Sequence, residues 1–464
     1  MTIYIPQNLD PNLPLYKAVA QALERDIFSG KLQPGTQLPP HRGLADALEI
    51  NVSTVSRAYK AAREKGLLSG TTGRGTFVTT DVDQDTALMP LEPSAPGMIE
   101  MGQVIPLCDK DPDMGKELAT LARSKGINEF FRYTDPTGLA AHRKAGVIWA
   151  NTHGMPADPQ NILVTAGAQH ALTCTLMALF SPGDRIAVET LTYPGMKSLA
   201  QMLHIQLVPV AMDDQGMIPD DLNTACKRTQ VKGIFLMPSC QNPTTSTMSL
   251  KRRRALADLI QCHGLILMED DTYGLTRPER LATPTKEPPI ATLVPEQSIF
   301  IAALSKAFLP GLRTAFVVVP TELHAPMAQA ILNTIWMAPT LNAALAANWI
   351  TTGRAHQVLL AKQREAAYRR DWVLKAFEKR GLPHPRGHRG SVFLWSPLPP
   401  GCRGQSLEDK ARAQGVNLFC AHRFAVGSAP IADAIRISLT GARHHQELEK
   451  GIRILLELIK ANKD

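Results

Sequence analysis

The first part of the chain carries apolar positions at helical spacing. Leucine, valine and isoleucine recur at Leu15, Val19, Leu23 and Ile27, which places them on one face of a helix over 15–28. Small and turn-forming residues then predict a stop and a turn, at Ser29-Gly30 and Gln33-Pro34-Gly35.

Two further short helices and a hairpin follow. The second helix begins after Leu38-Pro39-Pro40 and runs through Leu48, and the third runs from about Asn51 to Lys65. The run 73–78 predicts a hairpin that a β-strand completes. Three short helices and a hairpin predict a winged helix-turn-helix domain over residues 1–80.

Beyond residue 98, apolar runs of strand length alternate with helical stretches. This alternation predicts an α/β body over 98–464, with a mostly parallel sheet and helices on both faces. The strands are predicted at 162–164, 185–188, 234–237, 265–268, 298–304 and 315–319, and the helices at 168–180, 194–203 and 250–262. Residues 81–97 hold four acids and three prolines without apolar periodicity, which predicts an extended linker.

Composition narrows the class of protein. The chain has 464 residues, a net charge of +8 and no run of eighteen apolar residues, so we expect no membrane span. Seven scattered cysteines without a Cys-x-x-Cys pair favour reduced thiols in a cytoplasm over disulfides or a structural zinc site. The basic excess is concentrated after Thr351, with 20 Lys and Arg against 10 Asp and Glu, so charge alone does not identify a nucleic-acid surface.

The N-terminal end of the third predicted helix is rich in short polar side chains. Asn51, Ser53, Thr54 and Ser56 suit phosphates and base edges in a major groove, followed by Arg57. Ser and Thr at such a position are equally typical of simple helix caps.

Polar residues also follow the apolar strands of the body, where parallel sheets bind ligands. Gly167-Ala168-Gln169 opens a helix whose N–H groups suit a phosphate, although a glycine before a helix is common. Tyr193 can stack on a flat ring or pack in its loop, and Asn242 offers an amide. Asp270, near the core, needs a cation or a protonated nitrogen as its partner.

The stretch Leu304–Arg313 carries the strongest chemical indication. Lys306 follows a buried strand, where a lysine is costly unless it reacts or is paired, and Arg313 follows a Pro-Gly turn. On its own, Lys306 is equally compatible with a solvated loop.

Together these positions favour a pyridoxal phosphate site. Lys306 forms a Schiff base, Asp270 pairs with the ring nitrogen, and Arg313 with the Gly167 loop holds the phosphate. Asn242 and Tyr273 hold the phenolic oxygen.

Residues 15–78 resemble the DNA-binding domain of the GntR family of bacterial regulators. The resemblance implies DNA contacts from Arg42, from the start of the third helix and from the wing residues Gly73 and Arg74. Val52 stands where many members have an arginine, which puts a base-reading contact in doubt. The motifs that carry the resemblance are Ile27-Phe28-Ser29-Gly30, Leu32-Gln33-Pro34-Gly35, Leu38-Pro39, Thr54-x-x-Arg57-Ala58-Tyr59, Glu64-Lys65-Gly66-Leu67 and Gly73-Arg74-Gly75-Thr76-Phe77-Val78.

Residues 98–464 resemble the fold-type-I aminotransferases, and the resemblance implies a C-terminal small lobe. The motif that ends in Thr137-Gly138 implies that Tyr133 reaches the cofactor phosphate of the neighbouring subunit, and Ile435-Arg436-Ile437-Ser438 implies that Arg436 binds a substrate carboxylate. Arg436 alone is also typical of a surface strand. Two positions depart from the pattern: Ala303 replaces a phosphate-binding serine, which Ser305 compensates, and Thr245 replaces a glycine after Asn242-Pro243-Thr244.

A GntR-type DNA-binding domain joined to an aminotransferase-like body resembles the MocR subfamily of regulators. That resemblance implies a homodimer that binds double-stranded operator DNA and senses pyridoxal phosphate together with an amino acid or amine. Three hypotheses remain open: a cofactor-dependent transcription factor, a working aminotransferase with a DNA-binding domain, and a scaffold without cofactor. For the basic residues after Thr351, two interpretations remain open: they line a path for DNA, or they form ordinary solvated helix faces. The residues concerned are Arg364, Arg369, Arg370 and Lys375.

Overall fold

The computed structural model describes residues 4–11, 13–28, 31–32, 36–64, 67–71, 75–78, 97–124, 126–282, 287–427 and 430–461. The structure confirms the predicted fold class, an α/β body with an N-terminal winged helix-turn-helix. Among these residues, no helix combines the length and apolar character that a membrane crossing requires. All seven cysteines are free thiols.

The N-terminal domain packs its helices around one small apolar core. Val19, Leu23, Leu44, Val55 and Tyr59 are buried together there, because each faces inward at helical spacing. The strands form an antiparallel sheet in the order β1-β3-β2. The elements are α1 (Leu15–Phe28), β1 (Gln37–Leu38), α2 (His41–Leu48), α3 (Val52–Glu64), β2 (Leu68–Thr71) and β3 (Gly75–Val78).

The hairpin and the three helices agree with the sequence prediction, and β1 was missed. A strand of two residues is too short to show alternation. It exists because Gln37 and Leu38 pair with Phe77 and Thr76 of β3, a contact between distant parts of the domain. The predicted wing residues Gly73 and Arg74 lie outside the described residues.

The body is built on a seven-stranded sheet in the order β5-β13-β12-β11-β10-β6-β7. Its pairs are parallel except at β13, which runs antiparallel to both neighbours. Its elements are β4 (Ile99–Glu100), α4 (Met114–Ala122), α5 (Ala140–Thr152), β5 (Ile162–Thr165), α6 (Ala168–Leu179), β6 (Arg185–Glu189), α7 (Pro194–Met202), β7 (Gln206–Val210), β8 (Met212–Asp213), β9 (Gly216–Met217), α8 (Pro219–Arg228), β10 (Gly233–Leu236), α9 (Leu250–His263), β11 (Ile266–Asp270), α10 (Glu279–Ala282), β12 (Ser298–Ala303) and β13 (Ala315–Val318).

The central strands are buried on both faces, which explains their continuous apolar sequences. Every residue of β5, β10, β12 and β13 is buried. The edge strand β7 was missed by the sequence analysis, because its residues are mostly half-buried and it contains Pro209.

The chain then forms a small lobe. Its antiparallel sheet has the order β14-β17-β16, while β15 pairs with β4 from the start of the body. Its core includes Phe377, Leu394, Ile437 and Leu455. The remaining elements are α11 (Thr321–Ile335), α12 (Thr340–Thr351), α13 (Arg354–Glu378), β14 (Phe393–Pro397), α14 (Gly404–Ala413), β15 (Val416–Asn417), β16 (Phe419–Cys420), β17 (Ala434–Ser438) and α15 (His445–Ala461).

Candidate cofactor and ligand site

The predicted site residues converge at the carboxyl ends of the central parallel strands. Asp270 ends β11 and pairs in register with Ile301 of β12, and Lys306 follows β12 by three residues. Asn242 lies in the loop after β10, and Arg436 lies on β17 of the small lobe. The site therefore sits where the large sheet meets the small lobe.

Asp270 is a buried carboxylate with a defined orientation. Its Oδ1 accepts hydrogen bonds from the backbone N–H of Thr272, at 2.9 Å, and from the Thr272 hydroxyl. Burial raises the pKa of Asp270 to about 6, although the bonds from Thr272 oppose the shift. Since both of these hydrogen bonds end on Oδ1, Oδ2 is suited to pair with a protonated ring nitrogen.

The raised pKa of Asp270 predicts a pH limit on cofactor affinity. Above about pH 6 the carboxylate is ionised and can pair with a pyridinium. Below it, a proton occupies the carboxylate, so the affinity for pyridoxal phosphate should fall by up to about tenfold per pH unit. The measurement is a spectrophotometric titration from pH 5 to pH 8.

Asp270→Asn is the control for this titration. Phosphate also titrates near pH 6, and this contribution persists in the variant. If parent and variant lose affinity equally as the pH falls, Asp270 does not set the limit.

Lys306 is a half-buried amine surrounded by other cations. Its Nζ donates to the carbonyl oxygen of Val104 at 2.6 Å. Burial, followed by the positive charges of Arg436 and Arg313, lowers the pKa of Lys306 to about 8, against the opposing effect of Asp270. A lysine with a lowered pKa has a larger neutral fraction at neutral pH and is a better nucleophile toward an aldehyde.

An anion cradle forms between the start of α6 and the loop after β12. The Arg313 guanidinium donates to Ser305 Oγ at 3.1 Å and to the carbonyl of Ala166 at 3.3 Å. Gly167 has a φ of 89°, and a Cβ there would lie 2.5 Å from the guanidinium, so only glycine fits. The N-terminal N–H groups of α6, a twelve-residue helix that begins at Ala168, complete a site suited to a phosphate.

Tyr193 and Gln169 form a fixed pair at the edge of this cradle. The Tyr193 hydroxyl donates to Gln169 Oε1 at 3.0 Å, and Gln169 Nε2 donates to the carbonyl of Gly195 at 3.1 Å. Burial raises the pKa of Tyr193 to about 12, so the phenol stays neutral. The Tyr193 ring is thus held by its hydroxyl, which suits it to stack on a flat cofactor.

Arg436 is a buried cation enclosed by aromatic rings. Its guanidinium lies 5.5 Å from the Phe393 ring centroid, 5.6 Å from Phe419 and 4.8 Å from Phe424. It donates to Asn242 Oδ1 and to the carbonyl of Gly102, both at 2.6 Å. Arg436 is therefore not a surface strand residue.

Among the described residues, the buried Nε of Arg436 has no hydrogen-bond partner. Burial lowers the pKa of Arg436 to about 10, so it remains a cation at neutral pH. A guanidinium with an unused donor fits a carboxylate ligand.

The turn that presents Asn242 carries a residue in an unfavourable backbone conformation. The Asn242-Pro243 bond is cis, and Thr245 has a φ of 62°, in the left-handed region that favours glycine. Thr245 N donates to the carbonyl of Gln241 at 2.7 Å, which keeps the turn in this conformation. The departure from the family's glycine thus preserves the turn at a steric cost.

Thr245→Gly should stabilise the protein. Relief of the left-handed threonine outweighs the added flexibility of the unfolded chain by about 0.5–1 kcal/mol, which corresponds to a rise in melting temperature of about 1–2 °C. Thr244→Gly is the matched control and should lower the melting temperature, because the Thr244 hydroxyl donates to Gln241 Oε1 at 2.7 Å. A lower melting temperature for Thr245→Gly would contradict the strain argument.

The two remaining tyrosines of the predicted site lie in opposite environments. Tyr273 is buried, packs edge-on against Phe393 with ring centroids 5.0 Å apart, and has a pKa raised by burial. The Tyr133 side chain is 81% exposed and lies against Trp336. The structure brings Tyr273 into the site within one chain and leaves Tyr133 on the surface.

The predicted DNA-contacting residues lie on the exposed side of α2 and α3. Arg42, Ser53 and Arg57 are exposed, and the Arg57 guanidinium lies 4.0 Å from the Tyr16 ring centroid. Asn51 Oδ1 accepts from Ser53 N at 2.8 Å, so Asn51 acts as the helix cap.

Two hydroxyls and Val52 complete this face. Ser56 Oγ lies 2.8 Å from His41 Nδ1, and Thr54 is half-buried. Val52 is 37% exposed at the first position of α3.

At Arg369 both predictions for α13 are wrong, the DNA path and the solvated helix face. Arg369 is buried and donates to the carbonyls of Leu439 and Ala442 at 3.1 Å, so it joins α13 to the small lobe. Arg370 is half-buried and donates to the carbonyl of Gly387. Arg364 and Lys375 are exposed on the same helix. A helix face that includes a structural arginine is not a continuous basic surface.

Several residues of the site were missed by the sequence analysis. Thr272 orients Asp270, and its position two residues after an aspartate could have indicated this. The ring enclosure of Arg436 and the carbonyls of Gly102 and Val104 left no pattern, because they come from distant segments or from the backbone.

The arrangement fits pyridoxal phosphate on its own chemistry. A buried carboxylate, a lysine with a lowered pKa and an anion cradle shaped by Gly167 match a ring nitrogen, an aldehyde and a phosphate. The fold and this donor set define the class of the body, an aminotransferase-like domain of fold type I.

Comparison with known families agrees with this class. Residues 103–455 match the family described as aminotransferase class I and II, and residues 15–78 match the bacterial regulatory proteins of the gntR family. The chain belongs to the aminotransferase class I and II family and carries a GntR-type DNA-binding domain, which is the MocR-type architecture.

Relatives share the architecture over the whole chain. An uncharacterized HTH-type transcriptional regulator of Bacillus subtilis, YdeF, is 37% identical over 96% of this chain and 94% of its own. The HTH-type transcriptional regulator TauR of Rhodobacter capsulatus is 25% identical over 87% of this chain and 88% of its own.

A solved structure shows the same fold for the body. It is an archaeal alanine:glyoxylate aminotransferase, with a TM-score of 0.72 and 23% identity over 86% of this chain and 98% of its own.

Proposed function

We propose that this protein is a transcriptional regulator that binds pyridoxal phosphate through Lys306 and changes its DNA binding in response to an amino compound. The observation that carries the proposal is that Lys306, Asp270 and Arg436 meet in one site of a chain that also contains a DNA-binding domain. This combination favours a sensor over a metabolic enzyme, because a winged helix-turn-helix has no use in transamination. We place its action in the cytoplasm.

When bound, the cofactor supplies an aldehyde that exchanges between amines. Lys306 provides the resident amine, and Asp270 keeps the ring nitrogen protonated. Arg313, Ser305 and the start of α6 bind the phosphate, and Asn242 and Tyr273 orient the phenolic oxygen. Arg436 binds the carboxylate of the effector.

The pocket beside Lys306 suggests a class of effector. Leu107, Leu275, Leu359 and Val392 contribute apolar walls. Its hydrogen-bonding side chains have partners within the protein, as in the bond from Gln363 Nε2 to the carbonyl of Leu275 at 2.8 Å. We therefore propose an α-amino acid with a compact apolar side chain.

We also propose that the working form is a homodimer. Phe131, Tyr133 and Trp336 are 71%, 81% and 54% exposed, and clustered exposed aromatic side chains are typical of interfaces. In a dimer, Tyr133 would reach the phosphate bound by the partner. Such a dimer also suits an operator with two half-sites.

One experiment tests the function. An operator is selected from a random double-stranded DNA library, and its affinity is measured by fluorescence anisotropy with pyridoxal phosphate and a panel of amino acids. Absorbance spectra and oxo-acid release are recorded in parallel. An apolar amino acid should change both the spectrum and the DNA affinity without oxo-acid release.

Two results would contradict the proposal. Steady oxo-acid release that is regenerated by a second oxo acid would identify a working aminotransferase. DNA affinity that is indifferent to every amine in the panel would exclude a sensor of this kind. A response only to dicarboxylic amino acids would overturn the proposed apolar class of effector and leave the sensor function standing.

A further inference from the structure

The segment 102–111, which we call the strap, lies across the ligand site and is held by three cations. Arg436 donates to the carbonyl of Gly102 at 2.6 Å, and Lys306 donates to the carbonyl of Val104 at 2.6 Å. Lys362 Nζ lies 2.7 Å from Asp111 Oδ1. The cations come from β17, from the loop after β12 and from α13, so the strap joins the small lobe to the large one.

Two of the three contacts use the groups that the proposed function assigns to ligands. A carboxylate held by two parallel hydrogen bonds would use Nε and Nη2 of Arg436, and Nη2 also donates to the carbonyl of Gly102. Attachment of a cofactor at Lys306 replaces the amine that donates to Val104. Cofactor attachment and carboxylate binding therefore each compete with one strap contact, and an effector that takes the cofactor from Lys306 frees its amine again.

The third contact is independent of the ligand groups. Lys362 is 6% exposed and the Asp111 side chain is almost wholly buried, so each charge depends on the other for compensation. Lys362 lines the same narrow pocket as Lys306, and the strap contributes Pro106 and Leu107 to its wall. The Lys362–Asp111 pair thus holds the far end of the strap over the site.

The near end of the strap is joined to the small lobe. The Glu100 carboxylate accepts the N–H groups of Gly102 and Gln103, at 2.7 and 2.6 Å, and the side-chain amide of Asn417. Glu100 belongs to β4, which pairs with β15. In the sequence, β4 directly follows the segment that leads from the DNA-binding domain, so the strap begins close to that connection.

We propose that the strap communicates the ligand state to the DNA-binding domain, and that Lys362 and Asp111 are the positioning residues that hold it over the ligand-free site. This inference rests on the proposed function for its ligand. It assigns a role to an ion pair beside the proposed effector pocket, which Lys362 lines. Loss of the pair should reproduce in the ligand-free protein the strap movement that the effector causes.

The test uses Lys362→Met in the full-length protein. Hydrogen–deuterium exchange, followed by mass spectrometry, reports on peptides that cover 102–111, and anisotropy reports the affinity for the selected operator. We expect strap exchange about tenfold faster than in the parent, and a ligand-free DNA affinity close to that of the ligand-bound parent.

Three further variants separate this role from a general loss of stability. Asp111→Asn keeps the shape of the side chain but removes its charge, so it should behave as Lys362→Met. Lys362→Arg keeps the positive charge and should retain the slow strap exchange of the parent. Lys232→Met breaks an ion pair of the same length, between Lys232 and Asp184 at 2.7 Å, that lies on the surface. It should leave both measurements unchanged.

The outcomes distinguish the two proposals. Parent-like strap exchange in Lys362→Met and Asp111→Asn would overturn the positioning role. Faster exchange with unchanged DNA affinity would overturn the communication. If no amino acid alters DNA binding by the parent, the proposed function fails, and the exchange measurement still decides whether the ion pair holds the strap.

Discussion

Lys306→Ala is expected to lose the visible absorption band of lysine-bound pyridoxal phosphate and to bind the operator with one affinity at every effector concentration. The physical reason is that, within the described part of the chain, Lys306 alone combines a half-buried amine, a pKa lowered to about 8 and proximity to Asp270. Coupling between effector and DNA is typically 5- to 150-fold in such systems, and it should fall to about one.

A second variant separates covalent attachment from charge. Lys306→Arg keeps a cation that can donate to the carbonyl of Val104, but it cannot react with an aldehyde. It should lack the visible band and the effector response while keeping the strap protected from exchange. An effector response of parental size in Lys306→Ala would show that sensing does not require the lysine.

Arg436→Lys is expected to keep the cofactor band and to lose most of the effector affinity. A lysine cannot form the two parallel hydrogen bonds of a guanidinium with a carboxylate. Loss of about 3 kcal/mol corresponds to about a hundredfold weaker effector binding. The measurement is a titration in which effector is added and the visible absorption spectrum of the bound cofactor is followed. The affinity for the operator is measured in parallel at saturating cofactor.

Arg423→Lys is the matched control for this variant. Arg423 lies 4.8 Å from the Phe419 ring centroid, on a ring that Arg436 also faces, but it pairs with Glu408. It should leave effector affinity unchanged. If both variants weaken the effector equally, the effect arises from the aromatic environment. If Arg436→Lys binds the effector like the parent, the carboxylate site lies elsewhere.

The outcomes of the sequence analysis follow a physical division. Long periodic segments such as 15–28 and buried strands such as 298–304 were predicted within a residue or two, since burial on one face or both leaves a periodicity or a continuous apolar run. The short strand β1 and the edge strand β7 were missed. Their existence depends on pairing with distant strands.

The candidate site shows the same division. Lys306, Asp270 and Asn242 could be predicted because each follows an apolar strand, and parallel strands bring such positions together. The roles of these three residues and of Arg436 stay predictions. So do the domain boundaries, which are 1–80, 81–97 and 98–464. Arg369 shows the limit: a basic residue on a basic helix was predicted to line a DNA path or a solvated helix face, whereas the structure buries it against two carbonyls.

The sequence by itself determined the two-part architecture and the family of each part, and it predicted which side chains face a cofactor. These follow from local periodicity and from motifs that lie within a few residues. Only the tertiary structure decided that Arg436 is enclosed by three rings, and that Gly102, Val104 and Asp111 are held by three cations. The reason is that backbone carbonyls are identical at every residue, so their use as acceptors depends on which distant donors the fold brings to them.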